Sequence, residues 1–431
     1  MNMANYFTSF VGWKKYVYPV SMSVIVCCIF LVNANHLNEQ SIYLYKYLPL
    51  AENILNISFY SYNGDDAATY PMWGYPGLLA FLQFWNIVDY LYYIQFGLAI
   101  ISLVFFLKLV KNENFLLRTV CSLLFIFYAM LLSVKWPDAI MAFLVFMTAC
   151  SHINKKYLLA GVLLGIAYNF RSESLVFLLV YVAWVMFNVR QFKVIFAFIF
   201  IVPWIVYGLS HHGHFIPTTT NSGGVLYISL GQLPENMWER KHLDGDAESY
   251  VWSVSNEQIS DPWGYEGGRL LKAQFLKDIQ EYPVEFVKKL IFNTGSVIVG
   301  GLYTVEARYF FFEGDVAKRL IKHYRSNKRE FMGDIISLES NACVIAFDLI
   351  IKFFSCIFFL GILAYCIYLI ITKKLDTGNI YLLLIILQLL LTVFIQYQPR
   401  HISHVIILFV FILISTVKDS DRLSNEDGVY R

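Results

Sequence analysis

Apolar residues run through this chain in long blocks that are separated by short polar turns. A helix satisfies its own backbone hydrogen bonds, and about 20 apolar residues in that form cross the hydrocarbon core of a bilayer. Many of the blocks approach that length, so the pattern predicts an all-α fold, a polytopic bundle of transmembrane helices. The predicted spans lie near residues 16–33, 90–110, 116–133, 138–152, 157–170, 174–189, 194–209, 343–371, 380–396 and 402–417.

Two further blocks, 72–88 and 284–302, leave the topology open. Lys and Arg near the ends of short loops favour the cytoplasmic side. If block 72–88 does not cross, five basic pairs share that side: Lys14/Lys15, Lys108/Lys111, Lys155/Lys156, Arg190/Lys193 and Lys373/Lys374. We therefore predict a juxtamembrane or re-entrant helix at 72–88. For 284–302 we favour an amphipathic helix on the outer headgroups, although a crossing would put the basic stretch 318–325 in the cytoplasm.

This topology divides the chain into three regions. They are an N-terminal transmembrane module (1–209) with a first outer loop at 34–89, an outer region with amphipathic helices (210–341), and C-terminal transmembrane helices with a short cytoplasmic tail (342–431). The turns at 135–138, 171–173 and 397–404 also face outward. Within the outer region we expect a helix from 268 to 281, which ends before Pro283.

Composition agrees with a membrane protein and excludes other classes. Hydrophobic residues make up 58% of the 431 residues and charged residues 15%, whereas charged residues make up about 25% of an average soluble domain. The net charge is +2, and the basic residues are scattered between apolar blocks, so nucleic acid is not an expected partner. The seven cysteines fall in or beside apolar blocks, without the spacing of zinc ligands or of a disulfide framework.

Polar residues in the first outer loop form the first candidate cluster. Asp65 and Asp66 follow a glycine, and the aromatic residues Tyr70, Trp73 and Tyr75 come next. Adjacent carboxylates beside an aromatic platform suit a general base next to a sugar ring, because sugar rings stack on Trp and Tyr. A turn in which an aspartate caps the next helix explains the same pattern equally well.

Two short outer turns carry further candidates. Lys135 and Asp138 open a span, where Asp138 is either a helix N-cap or part of a site. Arg171 and Glu173 lie between two spans, as a structural ion pair or with Arg171 as a clamp for a phosphate.

A third turn holds Tyr397, Arg400 and His401, with Arg400 either snorkelling to the interface or acting as a second cation for a lipid phosphate. The histidines of the segment 211–214 are a weak metal signal because no carboxylate accompanies them.

Several loose motifs follow one another in a specific order. The acidic pair precedes Trp73-Gly74-Tyr75-Pro76, and Pro137-Asp138 starts a span. The remaining motifs are Gly161–Ala167 ahead of Arg171, Pro203-Trp204, Gly213–Gly224, Tyr282–Phe286 and Pro399-Arg400. In this order, across about residues 16–410, the chain resembles the GT-C superfamily of membrane glycosyltransferases. The resemblance is to the branch with the dolichyl-phosphate-mannose protein mannosyltransferases and the bacterial lipid A aminoarabinose transferases.

The resemblance implies a function and a location. The donor would be a polyprenyl-phosphate sugar, Asp65 or Asp66 the base, and Arg171 and Arg400 the cations for the departing phosphate, with Lys135 in reserve. The acceptor would be a glycan, a lipid-linked saccharide or another cell-surface hydroxyl. The protein would lie in the bacterial inner membrane with its site facing the periplasm. We predict no metal and no cofactor.

Two other functions remain open from the sequence. A transporter of lipid-linked saccharides would spread polar groups through the bilayer midplane and show internal repeats. An O-antigen polymerase or ligase would depend on arginines of the large outer loop rather than on an acidic pair in the first loop.

Overall fold

The computed structural model describes residues 17–31, 47–57, 60–61, 68, 70–111, 113–259, 261–300, 353–365, 367–368, 379–395, 405–406 and 408–414. Its helices are α1 (Val17–Leu31), α2 (Leu48–Ile57), α3 (Gly74–Phe84), α4 (Leu91–Val110), α5 (Phe115–Leu132), α6 (Pro137–Ile153), α7 (Tyr157–Phe170), α8 (Ser174–Trp184), α9 (Val202–His212), α10 (Ser222–Ser229), α11 (Asp244–Ser255), α12 (Tyr265–Glu281), α13 (Pro283–Gly300), α14 (Phe353–Tyr365) and α15 (Asn379–Phe394). These ranges contain no strand, so the predicted all-α character is confirmed for them.

Only part of the predicted membrane topology is visible in helix length. Two helices are long and apolar enough to cross a membrane by themselves: Val88–Val110, which adds a 3-10 turn to α4, and Phe115–Leu132. The other apolar helices have between 10 and 17 residues. With its 11 residues, α3 covers about 16 Å, roughly half of a hydrocarbon core.

The predicted span 194–209 is bent in the structure. A 3-10 helix occupies Phe192–Phe200, and α9 continues from it after a bend of 41°. Pro203 lies in the first turn of α9, where its missing N–H and its ring cannot extend the preceding helix. The pair therefore forms either one broken span or a re-entrant loop.

Two glycines let this 3-10 helix lie directly on α7. A Cβ atom on Gly161 would meet Val194 Cγ2 at 2.8 Å, and one on Gly165 would meet the Ala197 carbonyl oxygen at 2.6 Å. Glycines four residues apart on one helix face permit such close approach of two backbones. The same spacing supplied one of the sequence motifs.

The region after α9 contains more helix than the sequence analysis predicted. The expected helix at 268–281 is present as α12 and begins three residues earlier, at Tyr265. α10 and α11 pack beside it. Arg240 joins these elements, because its guanidinium donates to Asp278 at 3.0 Å and lies 4.7 Å from the ring centre of Tyr227.

The helix α13 buries two polar residues and exposes several apolar ones. Lys289 is 0% exposed and Asn293 is 1% exposed, whereas Val284 and Ile291 are 69% and 68% exposed. A helix in water has the opposite polarity. Lys288, with 62% of its side chain exposed, is the exception.

We expect Gly165→Ala to destabilise the protein, because the added methyl group meets backbone rather than a flexible side chain. Overpacking of this kind costs about 1–3 kcal/mol. Thermal unfolding of the purified chain in detergent, followed by tryptophan fluorescence, measures the effect. Gly97→Ala on α4 is the matched control, since nothing lies within 4 Å of its added Cβ. Equal midpoints for the two variants would contradict the close packing.

Candidate functional site

Several helix ends meet at one end of the helical layer. α6 and α7 pack against each other as an antiparallel pair, so the start of α6 and the end of α7 lie together. The start of α3 joins them, because Gly74 packs directly against the backbone of Asn169. Tyr168 ties the same end to the following loop by donating to the Pro217 carbonyl at 2.6 Å. The predicted site residues of the described ranges lie around this meeting point.

An ion pair between Arg171 and Asp138 is the centre of this cluster. Nε of Arg171 donates to Oδ1 of Asp138 at 3.0 Å, and Nη2 donates to Oδ2 at 2.6 Å. The Asp138 side chain is 2% exposed and that of Arg171 17%. This fork-to-fork geometry is the strongest pairing that the two groups can make.

The pair corrects two of the alternatives read from the sequence. Asp138 is not the N-cap of α6, because Trp136 occupies that position and Asp138 lies in the first turn. Arg171 forms its ion pair with Asp138 rather than with Glu173. The sequence analysis treated the two turns separately, whereas the fold joins them across 33 residues.

Neighbouring charges keep Arg171 ionised. Burial by itself lowers the pKa of the guanidinium, but the carboxylates of Asp138 and Glu173 raise the pKa by more, so that it lies above its ordinary value. Tyr47 also acts on this charge. The hydrogen bonds from Arg171 to described residues engage Nε and Nη2, not Nη1.

Two tyrosines stand beside the ion pair. The rings of Tyr47 and Tyr75 meet edge to face with centroids 5.0 Å apart. Tyr75 is fully buried in the first turn of α3, while Trp73 just before that helix is partly exposed. Tyr70 is half-buried in the same connection. The predicted aromatic residues therefore lie at or just before the start of α3.

Lys135 is the second cation at this end. Burial lowers the pKa of its ammonium group, and the carboxylate of Asp89 partly offsets this effect. Gln95 on α4 donates to the neighbouring Val134 carbonyl at 2.7 Å and so fixes the turn that carries Lys135. Two residues therefore act on the turn between α5 and α6, Gln95 by a hydrogen bond and Asp89 by its charge.

The predicted bases Asp65 and Asp66 lie outside the described residues, but the chain on both sides of them is anchored. The Ala68 amide donates to the Tyr60 carbonyl at 2.7 Å, which brings the two ends of the intervening segment together. Tyr60 in turn donates to the Pro71 carbonyl at 2.6 Å. Because Pro71 leads into α3, these contacts hold Tyr60 and Ala68 near the start of that helix.

Tyr397, Arg400 and His401 also lie outside the described residues. The described helix that precedes them is α15, and Tyr381 near its start packs on His152, at the opposite end of α6 from Asp138.

A buried lysine joins α13 to the end of α15. Lys289 on α13 donates to the carbonyls of Phe394 and Ile395 at 2.6 and 3.0 Å. A cation suits the C-terminal end of a helix, where carbonyl groups lack partners within the helix. The contact fixes α13 to the last turn of α15.

The arrangement combines cations, aromatic faces and restricted access to water. Arg171 and Lys135 suit the oxygens of a phosphate, and the half-buried Tyr70 and the partly exposed Trp73 suit a sugar ring. Among the described residues no group of His, Cys, Asp or Glu could hold a metal ion. His214, one of the weak metal candidates, instead stacks on Tyr265 with ring centroids 4.0 Å apart.

The sequence analysis missed Tyr47 and Asp89. Tyr47 belongs to an aromatic-rich stretch just before α2, which looked like any interfacial segment. Asp89 lies next to Tyr90, and its charge acts on Lys135, which is 46 positions away in the sequence. No local signal marks contacts of that separation.

We expect the Arg171–Asp138 pair to behave as one unit in a double-mutant cycle. Arg171→Met or Asp138→Leu alone leaves an unpaired buried charge, which costs about 3–5 kcal/mol. The double variant removes both charges, so it should unfold later than either single variant. Thermal unfolding in detergent measures all four proteins. Simple additivity of the two losses would show that the charges are not coupled.

No protein-family model matches this chain, and no curated protein or solved structure matches it either. The comparisons assign no family, so the resemblance to the GT-C superfamily stays a prediction from the sequence motifs.

Proposed function

We propose that this chain is a membrane glycosyltransferase. It moves a sugar from a polyprenyl-phosphate donor to a hydroxyl group of a glycan, a lipid-linked saccharide or another cell-surface acceptor. The observation that carries this proposal is the meeting of Arg171, Asp138, Tyr75 and Lys135 at one end of the helical layer. Tyr60 and Ala68, the described residues on either side of the segment with Asp65 and Asp66, are held near the start of α3 at the same end.

A charged cluster of this kind is unusual in an apolar helical protein. Ionisable groups among membrane helices are costly, and they persist where they bind or react. A transporter would need such groups near the middle of the helices. The cluster instead lies where helices begin and end, as an interfacial transfer site requires.

The reaction needs one base and at least one fixed cation. In our proposal Asp65 or Asp66 takes the proton of the acceptor hydroxyl, whose oxygen attacks the anomeric carbon of the donor. The bond from that carbon to the phosphate oxygen breaks, and its electron pair stays on the lipid phosphate. Fixed donors stabilise this growing negative charge.

Arg171 and Lys135 are the described cations for that charge. Asp138 holds Arg171 by its Nε and Nη2 edge and so fixes the guanidinium in place. Because Asp138 neutralises Arg171 and Asp89 partly offsets Lys135, Arg400 is the further cation that the sequence motifs imply. Tyr70 and the partly exposed Trp73 would border the sugar.

The location in this proposal follows from lipid chemistry and charge. A polyprenyl chain stays in the bilayer, so the site has to open between helices at the membrane surface. The basic pairs that favour the cytoplasm put the ion-pair end on the outer face. The chain would thus lie in the bacterial inner membrane, facing the periplasm.

We expect Asp65→Asn or Asp66→Asn to abolish transfer, because loss of a general base costs about 100- to 10,000-fold in rate. The assay uses the full chain in lipid nanodiscs with undecaprenyl-phosphate mannose, glucose and aminoarabinose. Release of undecaprenyl phosphate and labelling of surface glycans from a deletion strain are measured.

The matched controls are Asp244→Asn and Asp246→Asn, two carboxylates in the first turn of α11. They should leave transfer unchanged. Full activity of both first-loop variants, at unchanged thermal stability, would remove the proposed base.

A further inference from the structure

A second polar feature is a groove of about 400 Å³, which Arg171 and Asp138 do not line. Side chains of α2, the end of α3 and the following turn line it: Glu52, Leu55, Asn56, Gln83, Asn86, Val88 and Asp89. It is open to the outside.

The groove and the ion pair occupy opposite ends of α3. Tyr75 in the first turn faces Tyr47 just ahead of α2, while Gln83 at the last turn faces Glu52 and Asn56 across the groove. α2 and α3 therefore run side by side in the same direction. An 11-residue helix is about 16 Å long, which is the length of two to three sugar rings.

The lining has the chemistry of a saccharide subsite. Three primary amides and two carboxylates offer both donors and acceptors for hydroxyl groups, and Leu55 and Val88 supply apolar surface for a ring face. The Oε1 atom of Gln83 is buried and has no hydrogen-bond partner among the described residues.

The charge of the lining residues restricts which saccharides the groove can bind. Glu52 and Asp89 are the charged residues of the lining, and both are acidic. Lys135 lies near Asp89 and offsets one of these charges. A phosphate or a uronic acid would be repelled by the remaining carboxylate, whereas neutral and amino sugars would not.

Exposed aromatic residues border the groove. Phe84 and Trp85 fall between the lining residues Gln83 and Asn86, and their rings meet edge to face at 5.4 Å. Tyr90 follows Asp89 and is 57% exposed. Such aromatic residues sit at the headgroup level of a bilayer, so the groove opens where the saccharide of a membrane-anchored molecule would lie.

We propose that this groove binds the acceptor, as a neutral or amino-sugar saccharide held at the membrane surface. The inference rests on the proposed glycosyltransferase function and adds the acceptor class. The groove would hold the inner sugars of the acceptor while the end to be extended reaches along α3 to the ion pair.

Direct binding tests the groove without any transfer reaction. The full chain in nanodiscs is titrated with chitobiose, with the dimer of glucosamine and with digalacturonate, and binding is followed by saturation-transfer NMR and calorimetry. We expect the first two to bind at least about 10-fold more tightly than the anionic dimer. Glu52→Gln and Asn56→Trp should weaken chitobiose binding by a similar factor at unchanged melting temperature, and Glu235→Gln, an exposed carboxylate elsewhere, should not.

Transfer kinetics distinguish a failure of the proposed acceptor groove from a failure of the proposed glycosyltransferase function. In an active preparation, Asn56→Trp should raise the KM for the acceptor and leave the KM for the donor unchanged. Equal affinity for all three disaccharides, or a wild-type acceptor KM in both groove variants, would overturn the groove as the acceptor site. The proposed glycosyltransferase function would be unaffected by either result. Disaccharide binding that the variants abolish, in a chain that transfers no sugar, would support the groove as a saccharide site and overturn the glycosyltransferase.

Discussion

Burying a guanidinium among apolar helices costs several kcal/mol unless an anion meets it, and Asp138 is the anion that meets Arg171. The two residues belong to different turns, one at the start of α6 and the other at the end of α7. Their bonds therefore fix the relative height of these two helices. The pair lies next to Tyr47, Tyr75 and the turn that carries Lys135. The proposed chemistry depends on this arrangement.

Close packing and polarity reinforce this arrangement farther along the chain. Gly161 and Gly165 bring the 3-10 helix onto α7, next to the turn that carries Arg171. At the opposite end, His152 packs among aromatic rings that include Tyr381. The ion pair and the His152 cluster thus lie at opposite ends of α6.

The proposed donor and acceptor sites share one structural element. α3 begins beside the ion pair and ends at the saccharide groove, so its length sets the distance between the two. The helix is short because Trp85 and Asn86 end it, and Asn86 adopts a left-handed conformation with φ of 54°, which asparagine tolerates better than most residues. A membrane-crossing helix in its place would leave no such pair of neighbouring sites.

The sequence by itself determined that the described ranges are helical without strands, and it located the polar turns at 135–138 and 171–173. Apolar blocks such as 90–110 and 116–133 specify their helices locally, because hydropathy and backbone hydrogen bonding depend only on neighbouring residues. It also identified Lys135, Asp138, Arg171 and Glu173 as residues that need an explanation in an apolar chain. Only the tertiary structure decided that Asp138 pairs with Arg171, that Asp89 acts on Lys135 and that α13 turns its polar face inward onto α15. These outcomes depend on contacts between residues far apart in the chain, and the pattern of neighbours carries no information about partners at such separations.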